Sequence, residues 1–504
     1  MAHSFQSRPF ESYLARLTEM RQSGGDALTV GLPDAVIRDF IESGYDDLVK
    51  AIDRGYEYFQ QLQETHPDFV ALSEADQIAL THEGLTNFYA EDVVNPYVSA
   101  GASGPWLVTV KGAVVYDCGG YGMLGLGHAP EDVLEAMNKP HVMANIMTAN
   151  VSQLDFVNCL RREIGHTRKG GVPYVSVLCL NSGSEAMSIA SRIADVNTRA
   201  LTDPGARYEG REVRGLTLRG SFHGRTDRPA RFSHSTSRKY KKHLASYRDR
   251  DYLLTVEPND ITALEEVFAT ADREDVFIEA FFMEPVMGEG NPGMAIEPGF
   301  YARARELTRE HGTMLVVDSI QAGLRAHGVL SIVDYPGFTE IAEPDMESYS
   351  KALNAGQYPL SALALSERAA ATYKQGLYGN TMTSNPRALD VAIAVLESFD
   401  DDLRQNIRDR GKELLDGLAE LAIETDAGVT SAQGTGLLVS CALAERYKTY
   451  GANSTEDYLR RHGLGVIHGG AHSLRYTPVF NITSKEVDLI VARTKDALLN
   501  GPTV

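Results

Sequence analysis

MLVVDSIQAGLRAHGVLSIVDYPGFTEIAEPDMESYSKALNAGQYPL, residues 314–360, is the stretch whose reading decides the fold. An apolar run, Met314 to Val317, stops at an acid, Asp318. A second extended run, Met346 to Ser350, stops at a lysine, Lys351, followed by small residues and a proline. In an α/β sheet, chemistry collects where loops leave the carboxyl ends of strands. An acid at one such end and a lysine at another set a fixed negative charge near an amine. Two readings are open. The commoner is that both are ordinary loop residues, because an apolar run ending in Asp occurs in any doubly wound protein. The other is a site for pyridoxal phosphate. That cofactor needs a lysine to hold its aldehyde as a Schiff base and an acid to keep its pyridine nitrogen protonated.

The surrounding chain narrows the choice. At 504 residues it is too long for one small core and suits one large domain plus a smaller one. A net charge of −20 repels nucleic acid and anionic membranes, so neither is expected as a partner. The four cysteines, Cys118, Cys159, Cys179 and Cys441, lie far apart, which suggests neither a disulfide framework nor a metal site. The N-terminal residues lack the apolar core of a signal peptide, and no long uncharged apolar run is present. A reducing cytoplasm is the expected setting.

Residues 1 to about 90 show helical spacing of apolar residues, as in Ala35–Glu42 and Tyr45–Leu62, punctuated at Gly24-Gly25 and His66-Pro67. This part reads as a helical cap, packed on the body or on another subunit, without residues of a catalytic site. From Trp106 short strands follow, with a turn at Lys111-Gly112, and then a loop with five glycines before His128. Tyr174–Leu180 reads as a buried strand running into Asn181-Ser182-Gly183-Ser184-Glu185-Ala186 and a helix. Strand, small polar turn and helix start suit an anion, and S-x-x-E equally makes a plain capping box. The next strand leads to Phe222-His223-Gly224-Arg225-Thr226, whose aromatic could stack on a flat ring or simply fill the core. Asp275–Glu284 and Phe300–His311 add a strand and a helix, and the alternation argues for a mostly parallel sheet. Beyond Tyr378, helices from about Pro386 and over Asp401–Thr425, strands at Thr435–Leu443 and Ser473–Thr477, and a last helix over Asn481–Leu499 read as a smaller α/β unit. Arg475, inside an uncharged strand, either reaches to solvent or faces an anion.

Taken in order, N-S-G-S-E-A (181–186), F-H-G-R-T (222–226), M-E-P-V-M-G-E-G (283–290), V-D-S-I-Q-A-G (317–323), P-D-M-E-S-Y-S-K-A-L (344–353), N-T-M-T-S-N-P (380–386) and R-Y-T-P (475–478) resemble the class III (ω-amino acid) aminotransferases, ornithine aminotransferase-like members above all. The resemblance runs from about residue 95 to 504. It implies the fold-type I architecture of pyridoxal phosphate-dependent transferases: an α/β large domain with a mostly parallel sheet, a smaller α/β domain and a helical N-terminal extension. The implied segments are 1–94 for the extension, 95–119 and 386–504 for the two parts of the small domain, and 120–385 for the cofactor-binding domain. The implied reaction moves an amino group from an ω-amino acid or diamine to 2-oxoglutarate by a ping-pong mechanism. The alternatives are an aminomutase of the glutamate-semialdehyde kind and a non-catalytic binding protein on the same fold.

Residue by residue, the resemblance makes Lys351 and Asp318 the catalytic pair, with Asp318 on the pyridinium nitrogen. Gln321 would reach the ring 3-oxygen, Phe222 and Ile320 would cover the two ring faces, and Gly183 and Ser184 would bind the phosphate. Thr381 would complete the phosphate site of the neighbouring subunit, which makes a homodimer with shared active sites. Arg475 would take the carboxylate of glutamate or 2-oxoglutarate, Glu289 would mask Arg475 when an ω-amine is bound, and Tyr121 would face the substrate. No metal is implied. Three positions depart from the pattern: Ser319 where the family usually has Glu, Arg325 placed earlier than its arginine, and Glu347 in a strand that is usually apolar.

Overall fold

The computed structural model describes residues 9–90, 93–143, 147–248 and 252–504. The first eight residues of the expected extension, and its positions 91 and 92, lie outside them. Helices Phe10–Arg21, Asp34–Glu42, Asp46–Thr65, Pro67–Ala71 and Glu74–His82 follow one another before any strand, as the spacing predicts. Leu48, Ala51, Ile52, Gly55, Phe59 and Leu62 are buried on the long helix Asp46–Thr65. Each large aliphatic buried this way is worth roughly 1.5–3 kcal/mol. That helix lies on a four-stranded sheet ordered Ser99–Ser103, Trp106–Thr109, Val114–Asp117 and Leu464–Gly465. The last strand comes from the far end of the chain and pairs in parallel with Val114–Asp117, so residues near both termini share one sheet.

The seven-stranded sheet that carries residues 314–360 is ordered Ser176–Leu180, Ser361–Leu365, Met346–Tyr349, Met314–Asp318, Val276–Met283, Glu212–Leu218 and Leu253–Val256. Ser361–Leu365 runs antiparallel to both neighbours and every other pair is parallel. Met314–Asp318 and Val276–Met283 are buried throughout. Their side chains alternate between two cores. Met314 and Val316 join the cluster around Ala186, Ile189 and Ile193 of helix Gly183–Thr202. Leu315 and Val317 join the cluster that includes Phe300 and Ala304 of helix Pro298–His311. Layers on both faces are what a parallel sheet with helical crossovers requires.

Two expected strands differ. Ser176–Leu180 is an edge strand, and its first four residues are not buried, because it pairs on one side only. Residues 435–443 are not one strand: Val429–Thr435 and Leu438–Leu443 form a hairpin that turns at Gly436, where φ is +55°. A positive φ is the conformation glycine adopts without strain, so Gly436 marks the turn rather than a strand interior. This hairpin, Ser473–Tyr476 and Ile467–Gly469 make a third, antiparallel sheet. Thr483 caps the last helix, Ser484–Asn500, in a capping box with Glu486.

Helix Asp46–Thr65 and strand Ser99–Ser103 approach at two glycines. A methyl group on Gly101 would lie 2.2 Å from the Gly55 backbone nitrogen. Gly101→Ala is therefore expected to push the helix off the sheet and destabilise the fold by about 1–3 kcal/mol, seen as a lowered Tm. An unchanged Tm would show that the helix does not depend on this seat.

Candidate active site

Strand Met314–Asp318 pairs with Met346–Tyr349 so that Asp318 lies beside Ser348. Lys351 follows two residues after that strand, at a backbone φ of +48°. The acid and the lysine thus emerge at the same end of adjacent parallel strands. Lys351 Nζ donates to Gln321 Oε1 at 3.3 Å, and no carboxylate among the described residues forms an ion pair with it. Burial, reinforced by the charge of Arg475, brings the Lys351 amine down to about 8, against the pull of Asp318 and Glu284. A lysine so shifted is partly unprotonated near neutral pH and can act as a base or nucleophile.

Asp318 is buried, and its carboxylate is fixed from three sides. His223 Nδ1 lies 2.8 Å from Oδ2, the Ile320 N–H donates to Oδ1 at 3.2 Å, and Ser348 Oγ reaches Oδ1 at 3.4 Å. His223 is held in turn by Thr217 Oγ1 at its Nε2 and through its own N–H by Ser233 Oγ. The same end of the neighbouring parallel strand, Val276–Met283, brings in Glu284, whose carboxylate accepts the N–H groups of Phe222 and Gly288. Burial raises Glu284 to about 7. His223 and Glu284 were given no role from sequence. The F-H-G-R-T motif was the available signal for the histidine, because it places His223 beside Phe222.

Helix Gly183–Thr202 starts at the anion-type turn, so the N–H groups of Gly183 and Ser184 have no partner inside the helix. A Cβ on Gly183 would strike Ile320 at 2.6 Å, and one on Gly224 would strike Ser184 Oγ at 2.4 Å. The loops that carry Ile320 and Gly224 therefore pack closely against this helix end. Phe222 is half-buried in the loop beside it, and Arg225 lies over its ring at 5.2 Å. Thr381 is exposed, on a turn tied to the same helix by Tyr378 and Asn380, which both donate to Glu185 Oε1.

Arg475 is 2% exposed, which excludes reaching to solvent. It donates to the Gly288 carbonyl and, at 3.4 Å, to the Gln321 Oε1 that Lys351 also uses. The expected partner, Glu289, makes no ion pair with it. Glu289 accepts a 3.4 Å hydrogen bond from Ser235 Oγ, and its charge only opposes the lowering of the Arg475 pKa by burial. Arg475 also lies over the Tyr121 ring at 5.5 Å. Tyr89 stacks against Tyr121, with centroids 6.1 Å apart. Tyr89, Tyr121, Arg225, Glu289, His468 and Arg475 all line one cavity of about 630 Å³. Tyr89 stands at the end of residues 1 to about 90, the part read as carrying no residue of a catalytic site, and it lines this cavity. No pattern in the sequence signals it, because its contact is made only by folding.

The three departures are also placed. Ser319 and Glu347 meet: Ser319 Oγ donates to Glu347 Oε1 at 2.6 Å. The fully buried Glu347 carboxylate also accepts from the Ile332 N–H, the Tyr174 hydroxyl and the Ser331 hydroxyl. Arg325 is completely buried and donates to the carbonyls of Leu437, Pro478 and Gly122, so it ties the glycine-rich loop to the segments around the third sheet.

A family model described as aminotransferase class-III matches residues 88–498. An acetylornithine aminotransferase of Xanthomonas campestris pv. campestris is 30% identical over 328 residues, which is 64% of this chain and 74% of that protein. An ornithine aminotransferase of an Exiguobacterium strain is 27% identical over 423 residues, covering 82% of this chain and 95% of its own. The crystal structure of ornithine aminotransferase from Toxoplasma gondii ME49 superposes with a TM-score of 0.70 at 24% identity, covering 87% and 98% of the two chains.

Glu347 gives the sharpest stability test. Glu347→Val would leave the donors of Ser319, Ser331, Tyr174 and Ile332 buried without an acceptor. Each orphaned group costs about 1–3 kcal/mol, and the loop from Ser319 to Ile332 would lose its anchor. A drop of at least about 3 kcal/mol in denaturant unfolding is expected. Glu347→Gln, which keeps an acceptor, is expected to lose less. Equal losses in the two variants would remove the carboxylate from this role.

Proposed function

Since the chain belongs to the class III aminotransferases, a pyridoxal phosphate-dependent family, we propose that it moves the amino group of an ω-amino acid or diamine to 2-oxoglutarate in two half-reactions. The observation that carries this reading is Gln321, whose Oε1 is shared by the lysine amine and by a buried arginine with no carboxylate partner among the described residues. An amine nucleophile and a carboxylate receptor thus converge on one point.

The residues present fit the cofactor. Gln321 Nε2 is buried without a hydrogen-bond acceptor, and it would donate to the ring 3-oxygen. Asp318, immobilised by His223, would hold the ring nitrogen and keep it protonated. Phe222 and Ile320 would cover the ring faces, and Gly183 and Ser184 would take the phosphate on free N–H groups at the positive end of a helix. Thr381 of the partner subunit would add its hydroxyl, making a homodimer with shared sites. When bound, pyridoxal phosphate supplies an aldehyde for the amine and an electron-accepting ring. Lys351 Nζ removes the proton from the carbon that bears the reacting amine and returns a proton on the other side of the exchange. Arg475 orients the acceptor through paired hydrogen bonds to its carboxylate. Glu289, 3.4 Å from Ser235 Oγ, can swing to neutralise Arg475 when an ω-amine presents a plain methylene there. Residues 1–94, 95–119 with 386–504, and 120–385 serve as extension, small domain and cofactor domain. A reducing, cytoplasmic setting suits the four cysteines, which are free thiols.

A screen of ω-amino acids and diamines with 2-oxoglutarate, reading glutamate, tests this function. Wild-type enzyme is expected to form glutamate with at least one of these donors, and Lys351→Ala to lose nearly all of that turnover. Isomerisation of a single substrate without 2-oxoglutarate would overturn the transfer reading.

The lysine pKa gives a second expectation. Capture of the cofactor by apoprotein needs the unprotonated amine, and the folded value lies below that of a free lysine. The rate of gain in visible absorbance should therefore climb about tenfold per pH unit below about 8 and level off above it. A rate still climbing at about pH 10 would mean an unshifted amine.

A further inference from the structure

The cavity that holds Arg475 has a second wall, which none of the roles above uses. His468 lines it, and its ring stacks flat on Tyr450 with centroids 4.3 Å apart and planes 20° from parallel. Behind the ring lies Glu456, which is 1% exposed. Its carboxylate faces His468 Nδ1 at 3.1 Å and accepts the His468 backbone N–H at 3.0 Å. Arg460 Nη2 donates to the same carboxylate, which cancels its charge. Arg460 also donates to the carbonyls of Val466 and Val93, and so fastens the end of the segment that carries Tyr89 onto this network. The imidazole is therefore fixed in position and in tautomer. Nδ1 carries its proton toward Glu456, and Nε2 is the ring nitrogen left for a ligand.

We propose that His468, held by Glu456 and stacked on Tyr450, is a specificity-determining residue that accepts a hydrogen bond from an ammonium at the far end of the amino donor. The rest of the cavity suits such a donor. Arg225 and Arg238 line it and offer positive charge to a distal carboxylate, while Tyr450 and Tyr89 offer aromatic faces to a distal cation. A far end that carries both signs, the α-amino acid end of an α,ω-diamino acid, satisfies both walls at once. Donors with only one sign satisfy one. This inference rests on the ω-amine reading given above.

The test is a ratio measured on holoenzyme. The kcat/KM for an α,ω-diamino acid is divided by that for the ω-amino acid of the same length that lacks the α-amine. His468→Phe keeps a ring against Tyr450 and removes the acceptor, and the ratio is expected to fall about ten- to hundredfold, chiefly through KM, as loss of a hydrogen bond to a charged group would give. Glu456→Gln weakens the hold on Nδ1 and is expected to lower the ratio several-fold while His468 itself is intact. A general loss of folded enzyme cancels in the ratio. Turnover of both donors with a ratio in His468→Phe within about twofold of wild type would overturn the inference alone. A wild-type enzyme that turns over neither donor would overturn the ω-amine reading and this inference with it.

Discussion

The parallel pairing of Asp318 with Ser348 is the constraint on which the site depends. It aligns two fully buried strands so that their carboxyl ends open at one level, with the acid on one and the lysine two residues beyond the end of the other. A shift of one residue would turn every side chain to the opposite face. Asp318 would then leave His223, and Glu347 would leave the four donors that converge on it. Glu347 sits opposite Val317 in this register and binds the loop that leaves Asp318, through Ser319, Ser331 and Ile332. This carboxylate, unusual in a fully buried strand, is thus what holds down the loop that leaves Asp318. Its pKa is raised by burial, opposed by those same hydrogen bonds.

The site concentrates positive charge that nothing in the described chain neutralises directly. Lys351, Arg475 and Arg325 make no ion pair among the described residues, and their partners are carbonyls and the Gln321 amide. Burying a charge without a counter-charge costs several kcal/mol. The two arginines respond as physics requires, with burial lowering both pKa values, that of Arg325 to about 9. An anionic ligand bound beside Arg475 and Lys351 would supply the charge the described chain lacks there, and binding it would stabilise the folded state by linkage. Arg325 has a different solution. Three carbonyls from three separate segments surround it, so its charge is spent on holding those segments together.

Much of this was legible in the chain. Asp318 and Lys351 stand out because each ends an extended run, and a mostly parallel sheet follows from the alternation of strand and helix patterns. The helix at Gly183 is announced by N-S-G-S-E, since capping is local and uses residues within one turn. Where the local pattern was ambiguous, the reading slipped. Thr435–Leu443 is apolar enough to pass for one strand, and only the left-handed backbone at Gly436 divides it. Tyr174–Leu180 looks buried by composition, yet its place at the sheet edge leaves it half-open.

By itself the sequence determined the elements whose causes are local: apolar periodicity, capping, turns, and the residue types able to hold a cofactor. Tertiary structure alone decided what meets across long separations. Tyr89 reaches the cavity of Arg475, Ser319 meets Glu347, and Glu456 orients His468 for a wall that residues from five parts of the chain build. Such contacts leave no periodic trace, because they are fixed by the packing of whole elements rather than by the spacing of neighbours. The Glu289–Arg475 relation shows the same limit: sequence order names both residues, but only the fold places Glu289 on the cavity wall, bonded to Ser235, with Arg475 turned to Gly288 and Gln321.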